Sequence, residues 1–232
     1  VQTPYLGMEH QTIIAYGNNY KETKMGYDNL LLHEMGHEWW GNFLSISDWS
    51  DFWIPEGFTT YAEALYIEQN FGVSAYHAFM ENTCRKNILN SRPLVPNQNA
   101  TTDQIKGSDF YYKGAYVLHM LRYLVGYDVL IQTLREYLYT PKPNNNQTTT
   151  KEFIKYLEGN SNMELDWFFN QFVYSEKLPT LYSKSRSYKN GEKQFVELWW
   201  AEPMFPLPVE VRYQGTYAKE KMQINIGDKP TG

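Results

Sequence analysis

The sequence predicts a mainly α-helical protein of the α+β class, with a short β segment at the N-terminus and a β-rich segment at the C-terminus. Between about residues 27 and 173, several segments place apolar residues at the spacing of one helix face. Beyond about Pro179 the pattern changes to alternating segments such as KQFVELWW and LPVEVRY, which indicate strands. This change predicts a domain boundary, with domains at 1–178 and 179–232.

The composition is that of a packed globular protein. Of the 232 residues, 42% are hydrophobic and 17% aromatic, which excludes a disordered chain. The net charge of −5 is mild and Lys and Arg are thinly spread, so nucleic acid is not an expected partner. The single cysteine, Cys84, excludes an intrachain disulfide framework and leaves metal binding to histidine and carboxylate ligands.

The ends of the chain carry few signals. No stretch reaches the roughly 18–20 apolar residues of a membrane span, and no signal peptide opens the sequence. The chain begins with Val1, inside what reads as a strand and loop (VQTPYLGMEH). We therefore expect that upstream sequence, including any export signal, has been removed.

The first half is expected to contain an extended segment and three helices. Residues 1–17 read as a sheet edge, and the run YDNLLLHEMGHEWW at 27–40 predicts a helix followed by a Gly-Asn stop signal. A second helix is expected at about 56–71. A third helix is expected to begin with Ser74 as its N-cap and to end at about Leu89.

Four further helices and a β segment follow. The helices are expected in FYYKGAYVLHMLRYL, VLIQTLREYL, TTKEFIKYLEG and ELDWFFNQFV, with Thr150 or a neighbour capping the third. The intervening PKPNNNQTTT predicts a mobile surface loop. Asn190-Gly191 predicts a hairpin turn, and about fifty residues are too few for a closed sandwich, so the second domain is expected to be incomplete.

The strongest motif is HEMGH, which places His33 and His37 at i and i+4 on one helix face, where both imidazoles can reach one cation. Glu56, in WIPEG at the start of the next helix, is the expected third ligand. Two histidines, one glutamate and an open position for water form the ligand set of a catalytic zinc site, because a structural site would close all four positions. The sequence therefore predicts one Zn²⁺ held by these three residues.

Two further glutamates are expected to serve this site. Glu34 follows the first ligand and falls beside the open position, so it is the expected general base that takes a proton from the attacking water. Glu63 lies two helical turns after Glu56, on the same face. It either accepts a hydrogen bond from a zinc-binding histidine or is a solvated surface carboxylate.

HEMGHEWWGN and WIPEGFTTYAEALY together resemble the zinc motif of the membrane alanyl aminopeptidase family of gluzincins, which includes the leukotriene hydrolases. The resemblance extends from about Pro4 to Phe172. It implies a thermolysin-like, largely helical catalytic domain that hydrolyses the N-terminal peptide bond of peptides.

The same resemblance covers a stretch before the zinc helix. The family carries a Gly-x-Met-Glu-Asn signature on a strand edge, and the corresponding stretch here is Leu6-Gly7-Met8-Glu9-His10. The resemblance implies that Gly7, Met8, Glu9 and His10 contact substrate and that Glu9 binds its free α-amino group. His10 departs from the usual Asn, because a neutral histidine lacks an amide's paired donor and acceptor.

Downstream, Tyr111-Tyr112-Lys113-Gly114 resembles the family's Tyr-x-Lys-Gly motif, whose tyrosine steadies the oxyanion of the tetrahedral intermediate. Counting back from Lys113 assigns this role to Tyr111 and leaves Tyr112 as the alternative. A phenol is a suitable oxyanion donor, and loss of such a donor costs about 100-fold or more in rate.

The resemblance also sets limits. Family members carry an N-terminal β domain that completes the cleft and is missing from this chain, and the last fifty residues resemble the start of the β-sandwich that follows the catalytic domain. Bacterial relatives are often exported, which favours an exported protein, although the sequence does not determine the compartment. Two alternatives remain, namely an aminopeptidase with added epoxide hydrolase activity and an inactive zinc-containing binding module; a retained base argues against the latter.

Overall fold

The computed structural model describes residues 1–96, 98–188, 193–201, 206–214 and 219–224. The chain divides into two compact units, Val1–Glu176 and Lys177–Gly232. The first unit is mainly helical and carries the candidate site. In the described part of the chain, no helix is both long and apolar enough to cross a membrane.

The first unit opens with a small antiparallel pair of strands, β1 (Gly7–Met8) and β2 (Ala15–Tyr16), in which Gly7 faces Tyr16. The side chain of Asp28 caps the helix that follows and accepts a hydrogen bond from the Tyr16 hydroxyl. This bond ties the strand pair to the N-terminus of the helix that carries HEMGH. The predicted sheet edge is therefore present as two short strands.

The helices of the first unit occupy about half of its length. In chain order they are α1 (Asn29–Gly36), α2 (Trp53–Phe71), α3 (Val73–Phe79), α4 (Asp109–Val125), α5 (Tyr127–Tyr139), α6 (Pro143–Asn146), α7 (Thr150–Ser161) and α8 (Asp166–Phe172). A π-helical turn, Met80–Arg85, continues α3. The predicted helix-rich fold class is confirmed in this coarse form.

Helix α1 is shorter than the predicted segment at 27–40. After Gly36 the chain enters wide turns in which the backbone N–H groups of Asn42, Phe43 and Leu44 donate to carbonyls five residues earlier. Gly41 adopts a φ of 130°, which favours glycine, within these turns. The chain is no longer helical at the predicted Gly-Asn stop signal, but the regular helix has already ended at Gly36.

The starts of the next two helices differ from their predicted positions. Helix α2 begins at Trp53, three residues before the predicted start, because Pro55 is tolerated in a first turn, where N–H groups have no helical partner. Ser74 is not an N-cap. The N-cap of α3 is Gly72, which has a φ of 86° and whose carbonyl accepts hydrogen bonds from the backbone N–H groups of Ala75 and Tyr76.

PKPNNNQTTT is more ordered than a mobile loop. It contains α6 and a strand, β4 (Gln147–Thr148), which pairs in parallel with β3 (Ser45–Ile46). Thr148 is fully buried and hydrogen-bonds the Tyr137 hydroxyl. The polar composition hid this pairing because its partner lies about a hundred residues earlier in the chain.

An aromatic core holds α2 and α7 together beneath the site. Trp53, Phe58, Phe153 and Tyr137 are buried, with edge-on rings between Phe58 and Phe153 4.9 Å apart at their centres. The indole N–H of Trp53 donates to the Thr150 hydroxyl at 2.7 Å, which satisfies its one polar atom. These contacts fix the first turn of α2, where Glu56 lies.

In the second unit, two antiparallel strand pairs are described. Strand β5 (Leu181–Tyr188) pairs with β6 (Lys193–Trp200), and β7 (Val209–Gln214) pairs with β8 (Lys219–Ile224). The predicted Asn190-Gly191 turn lies outside the described residues.

Candidate metal centre

Helices α1 and α2 bring three ligand-type side chains to one point. The Nε2 atoms of His33 and His37 are 3.1 Å apart, and each lies 3.3 Å from Oε2 of Glu56. A tetrahedral Zn²⁺ with bonds of about 2.0–2.1 Å keeps its ligand atoms about 3.3–3.4 Å from one another. The triangle therefore has the dimensions of one face of a zinc tetrahedron.

Hydrogen bonds at the Nδ1 atoms of the two imidazoles orient the rings so that their Nε2 atoms face the centre. Nδ1 of His33 donates to Oε1 of Glu63 at 2.7 Å, and Nδ1 of His37 donates to the carbonyl oxygen of Trp40 at 2.9 Å. Both partners are acceptors only, so each Nδ1 carries a proton and each Nε2 is available to bind a metal ion or a second proton. Three electron-rich atoms then face each other, an arrangement that a cation stabilises.

The charges around this point favour a cation. Burial alone would lower the pKa of His33, but hydrogen bonding to Glu56 and Glu63 overrides it and raises that pKa. Burial would raise the pKa of Glu56, yet the two histidines hold it well below its ordinary value. The same negative groups that raise the proton affinity of the histidines attract a metal ion.

Glu34 lies beside the triangle and is buried at 5% exposure. Burial raises its pKa to about 7, with Glu9 and Glu56 adding to the rise and the two histidines opposing it. Among the described residues its Oε2 is buried with no hydrogen-bond partner. A carboxylate in this state accepts a proton readily near neutral pH.

Glu9 directly follows strand β1, and its carboxylate approaches Glu34 and His37, with one polar atom of each within 4.8 Å of the others. The side-chain amide of Asn42 donates to the backbone oxygen of Glu9 at 2.9 Å. Sequence reasoning treated Asn42 only as part of a stop signal, because a bond across 33 residues leaves no local pattern. Gly7 of the same strand lies directly against the Glu34 carboxylate.

Helix α4 brings Tyr111 to the site. Its ring centre lies 5.8 Å from that of His33, and burial, with Glu56, Glu9 and Glu34 adding, raises the pKa of its hydroxyl. Burial also raises the pKa of the Tyr112 hydroxyl, with Cys84 and Glu63 adding to the rise. Of the two tyrosines, Tyr111 is the one surrounded by the site carboxylates.

Two cavities border the centre. One of about 560 Å³ is lined by His33, Glu63, Tyr111 and Tyr112, among others. The other, of about 360 Å³, is lined by Met8, Glu9 and His10 together with residues that follow α1. Met8 and His10 are exposed, so both are accessible from the second cavity.

Known proteins resemble the chain over this region. A family model described as the peptidase family M1 domain matches residues 5–172. Endoplasmic reticulum aminopeptidase 2 of Bos taurus is 26% identical over 197 residues, which cover 82% of this chain and 20% of that protein. The chain thus spans about a fifth of the length of that relative.

Solved structures of other proteins also resemble the chain. The E323A mutant of an M1 zinc metallopeptidase from Deinococcus radiodurans, bound to a Tyr-Ser-Ala substrate, has a TM-score of 0.63 at 26% identity and covers 77% of this chain and 39% of that one. Legionella pneumophila aminopeptidase A, in complex with aspartic acid, has a TM-score of 0.71 at 18% identity over 94% of this chain and 27% of that one, a likeness of fold alone.

Proposed function

The chain belongs to peptidase family M1, and from that premise we propose that it is the catalytic part of a zinc aminopeptidase that hydrolyses the N-terminal peptide bond of peptides. The observation that carries the proposal is the triangle of Nε2 atoms and Oε2 at His33, His37 and Glu56, with the buried carboxylate of Glu34 beside it. The similar proteins include a zinc metallopeptidase and an aminopeptidase, which supports the same function.

His33, His37 and Glu56 would hold Zn²⁺, and Glu63 and the Trp40 carbonyl would orient the two histidines. When bound, Zn²⁺ supplies a Lewis acid that polarises a carbonyl and makes water more acidic at neutral pH. The two imidazoles keep their protons on Nδ1, so their role is to bind and orient and not to transfer protons.

Glu34 is the proton carrier of the proposed reaction. Its unpartnered Oε2 takes a proton from the attacking water and passes it to the leaving amine, which restores the carboxylate. Burial raises the pKa of the Glu34 carboxyl above its ordinary value, which favours uptake of the proton, and the group must gain and lose one proton in each turnover. Burial also excludes competing water from the carboxylate.

Glu9 and Tyr111 orient the substrate in this proposal. The Glu9 carboxylate lies close to Glu34 and His37, where it can pair with a protonated α-amino group and set the first peptide bond near the base. The Tyr111 hydroxyl, kept protonated by burial and by three nearby carboxylates, donates to the developing oxyanion. Gly7 and Met8 of strand β1, and His10 just after it, are proposed to contact the substrate.

We also propose the finer domain assignment. Residues 1–178 form a thermolysin-like catalytic domain, and 179–232 form part of a β-sandwich-like domain. Because the chain covers 20% of one relative and 39% of a solved structure, an N-terminal β domain that completes the cleft is proposed for the whole protein.

The first experiment measures hydrolysis of amino-acid anilides by the full-length protein and its Glu34→Gln variant. We expect a loss of at least about 1,000-fold in kcat with the zinc content unchanged, because the amide cannot accept the proton. Glu38→Gln, which changes an exposed glutamate two residues after the end of the same helix, is the matched control and should be fully active. Equal turnover by wild type and Glu34→Gln would refute the mechanism.

A second experiment tests the direction of attack. Acetylation of the substrate's N-terminus removes the cation that Glu9 is proposed to bind, so turnover should fall to background. The Glu9→Gln variant should raise the KM for peptides with a free N-terminus and should keep the zinc content of the wild type. Efficient cleavage of blocked peptides would instead indicate an endopeptidase.

A further inference from the structure

Helices α2 and α4 touch backbone to backbone at Gly57 and Gly114. A Cβ added to Gly57 would lie 2.8 Å from Cα of Gly114 and 2.9 Å from the carbonyl oxygen of Phe110. A Cβ added to Gly114 would lie 2.9 Å from Cα of Gly57. These neighbours are backbone atoms, which cannot rotate away as a side chain can, so any larger residue must move one helix relative to the other.

Each glycine is next to a residue of the candidate site. Gly57 directly follows Glu56, and Gly114 lies one helical turn after Tyr111. The Tyr111 hydroxyl interacts with Glu56, so the two site residues meet across the same helix crossing. The backbone contact between the two helices is thus within one turn of both site residues.

We propose that the Gly57–Gly114 contact is a positioning element that sets the distance between the Tyr111 hydroxyl and the metal ligands on α2, an inference that rests on the proposed function. A methyl group at either glycine moves α4 away from α2 and carries Tyr111 with it. Misplacement of a reacting group by about 1 Å can cost about 100-fold in rate. Helices that merely pack in the core would lose stability from the same change but would keep the contribution of Tyr111.

The test is a double-mutant cycle in the full-length, zinc-loaded protein with an amino-acid anilide as substrate. Gly114→Ala is expected to lower kcat by about 100-fold, with a smaller change in KM. Tyr111→Phe should cost a similar factor in the wild-type background and only a few-fold in the Gly114→Ala background. Because the cycle compares ratios, a change in the folded fraction cancels.

The same Tyr111→Phe factor in both backgrounds would overturn the proposal. Gly159→Ala is the matched control, because it adds a methyl group to helix α7 with nothing within 4 Å. It should leave kcat unchanged and the Tyr111→Phe factor intact. If Gly114→Ala does not fold, Gly57→Ala probes the contact from the other helix; if neither variant folds, the contact serves the fold alone and the proposal is wrong.

A structural measurement separates this proposal from the proposed function. The crystal structure of zinc-loaded Gly114→Ala should show the Tyr111 hydroxyl displaced from Glu56, with the ligand atoms of His33, His37 and Glu56 unmoved. An inactive wild type with this displacement would refute the aminopeptidase proposal and leave the positioning inference standing. An unmoved Tyr111 hydroxyl would refute the positioning inference, whatever the activity.

Discussion

Glu63 accepts a hydrogen bond of 2.7 Å from Nδ1 of His33 across the interface of α1 and α2. Glu63 is only 8% exposed, so this carboxylate is not the solvated surface group that was one of its two sequence interpretations. Its geometry is that of an outer partner that fixes the imidazole ring and strengthens its basicity.

Glu63→Gln should therefore weaken zinc binding by about 10- to 100-fold, because a neutral amide orients the ring less firmly and no longer raises its basicity. The measurement is competition for Zn²⁺ with a chelator of known affinity at pH 7. Glu164→Gln, at an exposed glutamate between α7 and α8, is the control and should keep the wild-type affinity. Unchanged affinity in Glu63→Gln would remove Glu63 from the metal centre.

The candidate site was more accessible to sequence reasoning than its surroundings. The i and i+4 spacing of His33 and His37 is a local property of a helix, so it predicts a shared face without knowledge of the fold. The bond from Asn42 to Glu9 and the Gly57–Gly114 contact join residues far apart in sequence. Such pairings depend on tertiary packing, for which a single sequence carries no periodic signal.

Some helix boundaries likewise follow from a local sequence pattern, and others depend on tertiary packing. Thr149, a neighbour of the predicted Thr150, caps α7 because a threonine followed three residues later by Glu152 forms a local capping box. The early end of α1 after Gly36 could not be read from the sequence. It depends on turns whose hydrogen bonds reach back five residues and on the packing of Trp40 in the core.

The stability of the fold should depend on pH through His119. It is buried and accepts a hydrogen bond at Nδ1 from the Tyr76 hydroxyl at 2.7 Å. Burial, with His77 and Arg122, lowers its pKa to about 4. The unfolded chain, with a pKa of about 6.5, binds this proton first, so stability falls as the pH drops from about 6.5 to about 4.

Between these two pH values, His119 should lower the free energy of unfolding by about 3 kcal/mol. Urea denaturation at pH 7 and pH 4.5 measures this loss. His119→Gln keeps an acceptor for Tyr76 but cannot titrate, so it should lose less stability than wild type on acidification. His10→Gln, at an exposed histidine, should follow the wild type. Metal loss at low pH affects all three proteins, so the difference between them isolates His119.

The capping box of α7 should contribute measurably to stability. The hydroxyl of Thr149 accepts from the backbone N–H of Glu152, and Oε2 of Glu152 accepts from the backbone N–H of Thr149 at 2.9 Å. Thr149→Ala should lower the free energy of unfolding by about 1 kcal/mol. Gly159→Ala in the same helix should raise it by about 0.5–1 kcal/mol, so denaturation midpoints that move in the same direction would contradict this account.

The doubled tyrosine gives a matched pair for the oxyanion role. Tyr111→Phe removes the hydroxyl that interacts with Glu56, and kcat for an amino-acid anilide should fall by about 100-fold or more with the zinc content unchanged. Tyr112→Phe removes the hydroxyl next to it in sequence, which belongs to the surroundings of Cys84 and Glu63, and should change kcat by only a few-fold. Both substitutions keep the ring and the helix, so a difference between them reports on the hydroxyl alone. If Tyr112→Phe caused the larger loss, the assignment made by counting back from Lys113 would be wrong, and α4 would have to present its other tyrosine to the substrate.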